Sequence, residues 1–186
     1  LLEFDQSSLA LAEQAFARCM DAGWLVDGVI SQSEAQAKSL WQLREGISES
    51  LASYTPYKND LSVRISEVPE FLADVDSYVS ESYPEFEVCW YGHIGDGNLH
   101  LNILRPQDMP VEEFFSHGHS MSPKIFEIVA ARRGSISAEH GVGLLKRDFL
   151  GYTRSEDEIK LMQGLKALFD PHQILNPNKL LTTNAN

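Results

Sequence analysis

Cysteine is nearly missing from this chain: two in 186 residues, Cys19 and Cys89. Their separation fits neither a zinc ribbon nor a disulfide framework, so both are read as small core residues, Cys19 in a helical pattern and Cys89 in a strand pattern. Positive charge is scarce as well. The 15 Lys and Arg against 27 Asp and Glu leave a formal net charge of −12. That excludes a nucleic-acid surface, whose phosphates demand clustered cations, and means that any anionic ligand must meet locally placed positive charge. No apolar run approaches the roughly 18–20 residues that span a bilayer, and no signal-peptide pattern is present, so a soluble, cytoplasmic protein is the default. Repeats and low-complexity segments are missing too. A chain of 186 residues can bury a substantial core, and one domain over residues 1–186, with or without a helical appendage, is expected.

What is present reads as alternating strands and helices. Leu1-Leu2-Glu3-Phe4-Asp5 looks like a strand already in progress with no initiator Met, as in a domain cut from a longer polypeptide. Ser7 or Ser8 caps a helix patterned by Leu9, Leu11, Ala12, Ala15, Phe16, Cys19 and Met20, which stops at Gly23. A second strand is expected at Trp24–Ile30, a long helix from Ser33 past Ile47, and a third strand from Lys58 to Ile65. Ser66 caps a further helix through Val79 until Pro84 forbids continuation. After Pro106 the pattern is mostly helical: Val111 to about Arg132, a short strand Ser135-Ile136-Ser137, then helices over 144–149 and 156–169, the last opening on the acidic turn Glu156-Asp157-Glu158. The order predicts an α+β fold, a split βαβ (ferredoxin-like) antiparallel sheet with helices on one face and a C-terminal helical segment.

The chemistry centres on Gly92-His93-Ile94-Gly95-Asp96-Gly97-Asn98-Leu99-His100. Asp96-Gly97 is a strong signal for a type I′ hairpin turn. With those two as the turn, Gly95 faces Asn98, Ile94 faces Leu99 and His93 faces His100. Directly opposed residues have Cβ atoms roughly 4.5–5.5 Å apart, close enough for two imidazoles to meet on one ion. A catalytic ion needs a third ligand. Ser137-Ala138-Glu139-His140-Gly141-Val142-Gly143 offers Glu139, which would complete a His₂Glu set with an open fourth position. His140 would sit beside the ion as a general base, since an imidazole's ordinary pKa near 6.5 suits that work at neutral pH. Equally, Glu139 and His140 could cap a following helix. Arg44 and Ser48 lie one turn apart on a helix and Lys58 opens the next strand. Such a trio could grip carboxylates or simply line a solvated face. Asn102 lies two residues past His100 and shares its strand face. His117, His119 and His172 read as surface or cap histidines, and the tail Asn176-Pro177-Asn178-Lys179-Leu180 as a polar C-terminal turn.

Three stretches together, the His93–His100 run, Ser-Ala-Glu-His-Gly-Val-Gly and Ile-Leu-Asn-Pro-Asn-Lys, resemble the C-terminal domain of FAD-linked oxidases, in the D-2-hydroxyglutarate and D-lactate dehydrogenase branch. The likeness covers nearly the whole chain in the right order. It implies that His93, His100 and Glu139 bind a divalent metal, usually zinc, and that His140 is the catalytic base. It further implies that Arg44, Ser48, Lys58 and Asn102 face a small anionic 2-hydroxy acid and that Asn176 approaches the flavin. The activity so implied is FAD-dependent oxidation of a D-2-hydroxy acid to the 2-oxo acid by hydride transfer. A quinone or electron-transfer flavoprotein would act as acceptor, and the location would be peripheral to a membrane, or mitochondrial in a eukaryote. Family members carry an N-terminal FAD-binding domain with Gly-rich stretches. Gly141-Val142-Gly143 is too short and wrongly placed for that fingerprint, so the chain is expected to lack this domain and to be inactive alone. Two other readings remain open: a self-sufficient His₂Glu metal-dependent hydrolase, and a non-catalytic interaction or homodimer module.

Overall fold

A computed structural model describes residues 1–181 of the chain, so the last five positions of the expected domain, 182–186, lie outside the described residues. The chain divides into two compact units, Leu1–Ser53 and Tyr54–Asn186. The first unit is helical. A 3₁₀ turn at Gln6–Ser8 leads into α1 (Leu9–Asp21), followed by α2 (Glu34–Glu45) and α3 (Ile47–Ala52). Gly23, at φ 70°, closes α1 in the left-handed conformation that glycine adopts without penalty. Ser33 caps α2 by accepting the Gln36 N–H at 3.3 Å, whereas Ser8 precedes α1 without making a side-chain cap.

Neither strand expected in this unit forms: Leu1–Asp5 and Trp24–Ile30 have no ladder. Their side chains are good strand formers, but β-propensity expresses itself only against a partner, and Trp24, Val26 and Val29 remain exposed. The long helix is also broken, by Gly46, into α2 and α3.

The second unit holds the sheet. Strands β1 (Tyr57–Ser62), β2 (Glu87–His93) and β3 (Asn98–Leu104) form one antiparallel sheet in the order β1-β3-β2. The crossover from β1 to β2 runs through α4 (Val68–Ser82), and β3 inserts between these two parallel strands. This is the split βαβ arrangement. A single antiparallel bridge between Ser62 and Ser135 extends the β1 edge, which is all that forms of the expected strand at Ser135–Ser137. The long helix α5 (Val111–Ala131), a 3₁₀ helix (Arg147–Tyr152) in place of the one expected over 144–149, and α6 (Glu156–Phe169) complete the unit. Before α4 a 3₁₀ turn at Ile65–Glu67 occupies the position where Ser66 was expected to cap, and no side chain caps that helix. The acidic start of α6 is as expected, reinforced by a capping box between Ser155 and Glu158.

Side-chain alternation divides the sheet into two chemically distinct faces. Leu61, Leu99, Leu101 and Ile103 point one way, into a core shared with Val68, Phe71, Val75 and Val79 of α4 and with Phe114, Met121, Ile125, Phe126 and Val129 of α5. The α4 residues recur at helical spacing, so one stripe is buried and the other face stays polar. Cys19 and Cys89 are not core residues but free, half-buried thiols.

The hairpin turn differs from the two-residue form. His93 pairs with Asn98, Gly92 with Leu99 and Tyr91 with His100, so the loop is the four residues Ile94–Gly97. A type I′ turn needs φ > 0 at both central positions. Only Gly97, at φ 74°, adopts it, while Asp96 uses its carboxylate to accept the Asn98 N–H at 3.0 Å. Gly97 is also pressed against the neighbouring backbone, its carbonyl accepting the Val63 N–H at 3.1 Å. A Cβ added at Gly97 would strike the Val63 carbonyl oxygen, whereas one added at Gly95 meets nothing within 4 Å. Gly97→Ala is therefore expected to cost more than the roughly 1–2 kcal/mol of left-handed strain alone, and Gly95→Ala to stay within about 0.5 kcal/mol of the parent. Urea unfolding of the two variants checks the difference.

Candidate functional site

The register places the polar residues of all three strands on the face opposite the core. Lys58 and Asp60 come from β1, Asn98, His100 and Asn102 from β3, and Tyr91 and His93 from β2, with Lys58 opposite Asn102 and Asp60 opposite His100. His93 and His100 thus share a face as expected, but diagonally, two residues out of direct opposition. Their ring centroids lie 6.0 Å apart.

The loop after the Ser62–Ser135 bridge lies over His100 and Asp60. His100 Nε2 approaches Glu139 Oε1 at 3.2 Å, and its Nδ1 faces Asp60 Oδ1 at 3.7 Å. The His140 ring stacks on His100 with centroids 5.5 Å apart and repeats the arrangement: its Nε2 lies 3.6 Å from Glu139 Oε1 and its Nδ1 3.9 Å from Asp60 Oδ2. Two parallel imidazoles therefore stand between two carboxylates. One donor atom from each of Asp60, His100, Glu139 and His140 lies within 4.8 Å of the others, a grouping that could hold a cation. His93 is not one of the four.

Backbone geometry explains why the loop sits there. Asp60 Oδ2 accepts hydrogen bonds from Ser137 Oγ at 3.3 Å, Glu139 N–H at 3.0 Å and His140 N–H at 2.9 Å. Glu139 and His140 do not cap a helix, because the chain from Ala138 to Gly143 is irregular and Gly141 and Gly143 take positive φ. Lys146 secures the same junction by donating to the Asp60 carbonyl at 3.0 Å and to the Ile136 carbonyl. Beside His100, Asn102 is 1% exposed and donates to the His100 carbonyl at 3.2 Å, while its own Oδ1 is buried with no hydrogen-bond partner.

The electrostatics suit ligation. Burial holds His100 below the usual histidine pKa against the pull of Glu139 and Asp60, which favours the neutral imidazole that binds metals. Burial works to raise Asp60, but the His140 and Glu139 amides with the His140 and Lys146 charges outweigh it, so its carboxyl lies below the ordinary range. Burial draws Lys146 down to about 8, with Asp60 opposing.

Lys58 is exposed at the rim of this face. Arg44 closes α2 and Ser48 lies in α3, so Gly46 separates two residues that the pattern had placed on one helix; both belong to the first unit. Asn176 belongs to a tail that is more than a polar terminus. Asp170 Oδ1 accepts the Ile174 N–H at 2.9 Å, and its Oδ2 accepts the Leu175 N–H at 3.0 Å and Lys166 Nζ at 2.5 Å. Asn176 and Asn178 then take left-handed φ of 46° and 59°, and a cavity of about 640 Å³ opens among Met162, Lys166, Asp170, Asn176 and Leu180. Asp60 and Lys146 were missed in the sequence. A carboxylate within a strand pattern is unusual enough to have flagged Asp60, whereas nothing around Lys146 signals its burial.

A family model for FAD linked oxidases, C-terminal domain, matches residues 1–180. The chain is 54% identical over 183 residues to a D-2-hydroxyglutarate dehydrogenase of Stutzerimonas stutzeri, covering 97% of this chain and 39% of that protein. Its identity to a D-2-hydroxyglutarate dehydrogenase of Xanthomonas citri is 52% over 179 residues, covering 96% and 38%. To the mitochondrial D-2-hydroxyglutarate dehydrogenase of Bos taurus it is 41% over 170 residues, covering 89% and 29%. The chain thus spans less than half the length of these relatives.

The Lys166 hydrogen bond, with the Leu175 and Ile174 amides and against the opposing effect of burial, holds Asp170 below the usual carboxylate pKa. A group depressed on folding stabilises the fold above its unfolded pKa and loses that contribution as pH falls through the folded value. Asp170→Asn should therefore lower Tm at pH 7 and flatten the loss of Tm below about pH 4, where an unperturbed Asp itself titrates. Thermal denaturation across pH 2–7 checks both.

Proposed function

Because the chain belongs to the family of FAD linked oxidases, C-terminal domain, we propose that it is the substrate- and metal-binding part of an FAD-dependent dehydrogenase. The reaction is oxidation of a D-2-hydroxy acid, of the 2-hydroxyglutarate type, to the 2-oxo acid. The observation that carries this reading is the 3.2 Å approach of Glu139 to His100 beneath the stacked His140. It lies on a sheet face that also carries His93, Lys58 and Asn102. The substrate class is supported by the relatives, which are named D-2-hydroxyglutarate dehydrogenases.

The donor set fits a divalent cation of the zinc type: neutral imidazole with carboxylate, one side open, and an Asn102 oxygen left unpartnered nearby. On the family likeness His93, His100 and Glu139 would hold it, whereas the donor atoms that lie closest together are those of Asp60, His100, Glu139 and His140. When bound, the ion would supply Lewis acidity toward a substrate oxygen and the flavin would supply the oxidising power. His140, whose ring is 66% exposed and so open to substrate, takes the hydroxyl proton at Nε2. Lys58 offers a point charge to a substrate carboxylate, and Asn102, on the family likeness, lines the same pocket. Asn176, on the family likeness, approaches the flavin. Positioning of this kind can contribute roughly 7–11 kcal/mol of barrier reduction. The remaining length of the relatives accommodates an N-terminal FAD-binding domain, without which this chain turns nothing over. A quinone or electron-transfer flavoprotein would serve as the electron acceptor. The site of action is the cytoplasm of a bacterium or the mitochondrion of a eukaryote.

Titration calorimetry of the chain with Zn²⁺ and then with D-2-hydroxyglutarate tests the proposal. Zinc should bind at one site, and the hydroxy acid should bind only once zinc is present. His100→Ala should weaken zinc by more than about 100-fold, beyond the 10–100-fold typical of groups outside the ligand sphere. Zinc-independent binding of the acid, or ester hydrolysis by the zinc-loaded chain, would overturn it.

A further inference from the structure

His100 is 8% exposed and hemmed in by several side chains. Glu139 and Asp60 stand at its two ring nitrogens, and the His140 ring covers it from the loop with centroids 5.5 Å apart. Tyr91 is the remaining neighbour. It lies directly opposite His100 in the register of β2 and β3, with ring centroids 4.9 Å apart and planes inclined by 42°, nearer than either the His140 or the His93 ring. Zinc draws its ligands from cysteine, histidine and carboxylates, so Tyr91 differs from the groups around it in offering no ligand of that type. What it brings to His100 is an aromatic surface. β2 is an edge strand of the described sheet, which makes Tyr91 the last side chain of the polar face on that side of His100. Rotation about the Cβ–Cγ bond of a histidine is a broad, soft torsion, and the direction of its nitrogens is therefore set by whatever packs against the ring.

We propose that Tyr91 is a positioning residue for His100. Its ring braces the imidazole from β2, limits rotation about the Cβ–Cγ bond and keeps the Nε2 edge turned toward Glu139, 3.2 Å away, the orientation that a divalent cation shared by the two requires. Tyr91 acts by packing and not through its hydroxyl. The brace is part of the sheet, whereas His140 packs on His100 from an irregular segment, so the strand supplies the fixed wall and the loop the movable one. This rests on the metal-site reading given above, and it applies to either donor set, since His100 belongs to both.

Titration calorimetry with Zn²⁺ tests the role on three substitutions. Tyr91→Phe keeps the ring and should match the parent chain. Tyr91→Val, a good strand former that leaves β2 intact, removes the ring and should weaken zinc about 3- to 10-fold, the range that an aromatic pair of this spacing accounts for. Val88→Ala is the control, because Val88 lies on the same strand but packs against the core on the opposite face. It should lower the urea midpoint and leave zinc affinity unchanged. Relaxation of the ¹³C-labelled His100 ring in the metal-free chain supplies a readout that a general loss of stability does not move. The ring should be ordered in the parent, Tyr91→Phe and Val88→Ala chains and mobile on the ps–ns timescale in Tyr91→Val. A mobile His100 ring in the parent chain overturns the proposal without recourse to any variant. So does undiminished zinc affinity in Tyr91→Val, or a loss in Tyr91→Phe as large as in Tyr91→Val, which would transfer the role to the hydroxyl. An equal loss in Val88→Ala would reduce the effect to fold stability and overturn it as well. If the parent chain binds no zinc, the metal reading fails, and the ring-order comparison alone decides whether Tyr91 braces His100.

Discussion

The Asp60 carboxylate is the constraint on which the arrangement of the site depends. It projects from β1 on the polar face of the sheet and gathers the hydroxyl of Ser137 and two successive amides from a segment nearly 80 positions further along the chain. Charge-assisted bonds of this kind are roughly twice as strong as neutral ones. A short loop with two left-handed glycines could otherwise sample many conformations. Tethered here, it sets Glu139 and His140 over a histidine from another strand, so polar and ionisable groups from β1, β3 and the loop come together without a disulfide or a long helix to brace them.

The sheet does the remaining alignment. Its apolar face is buried under α4 and α5, while the polar face keeps Lys58, Asp60, His93, His100 and Asn102 in two-residue alternation. The rigid face supplies the groups whose spacing matters most, and the irregular segment supplies those at the mouth of the site, where His140 is open. This division follows a general pattern in which functional loops are carried by rigid elements.

Much of this was legible from local chemistry. The hairpin, the shared face of His93 and His100, α5, α6 with its acidic first turn, and the split βαβ order all follow from periodicity and turn residues, which act over a few positions. What could not be read depends on partners. The stretches Leu1–Asp5 and Trp24–Ile30 have the residues of strands but nothing to pair with, and the loop at Ile94–Gly97 widened because Asp96 used its carboxylate on a neighbouring amide instead of adopting positive φ. Lys146 was invisible for the same reason, and Asp60 could be flagged as an unusual strand carboxylate but not assigned its partners: the significance of both lies in contacts across the fold. The roles expected of Arg44, Ser48 and Asn176 rest on the family likeness alone, since no spacing could assign them.

The two-faced sheet also bears on how the chain finds its native pairing. A slip of one residue in any strand exchanges its faces. For β1 that would drive Lys58 and Asp60 toward Phe71 and Ile125 and turn Leu61 out to water; for β3 it would bury His100 and Asn102 in place of Leu99 and Leu101. The β1 slip would strand charges in an apolar interior, at a cost of several kcal/mol, and the β3 slip would bury polar groups away from their partners. The residues that make the site chemically competent therefore also proofread the alignment of the strands. A change that neutralised Lys58 or Asp60 into an aliphatic side chain would erase a folding signal together with a polar group of the candidate site.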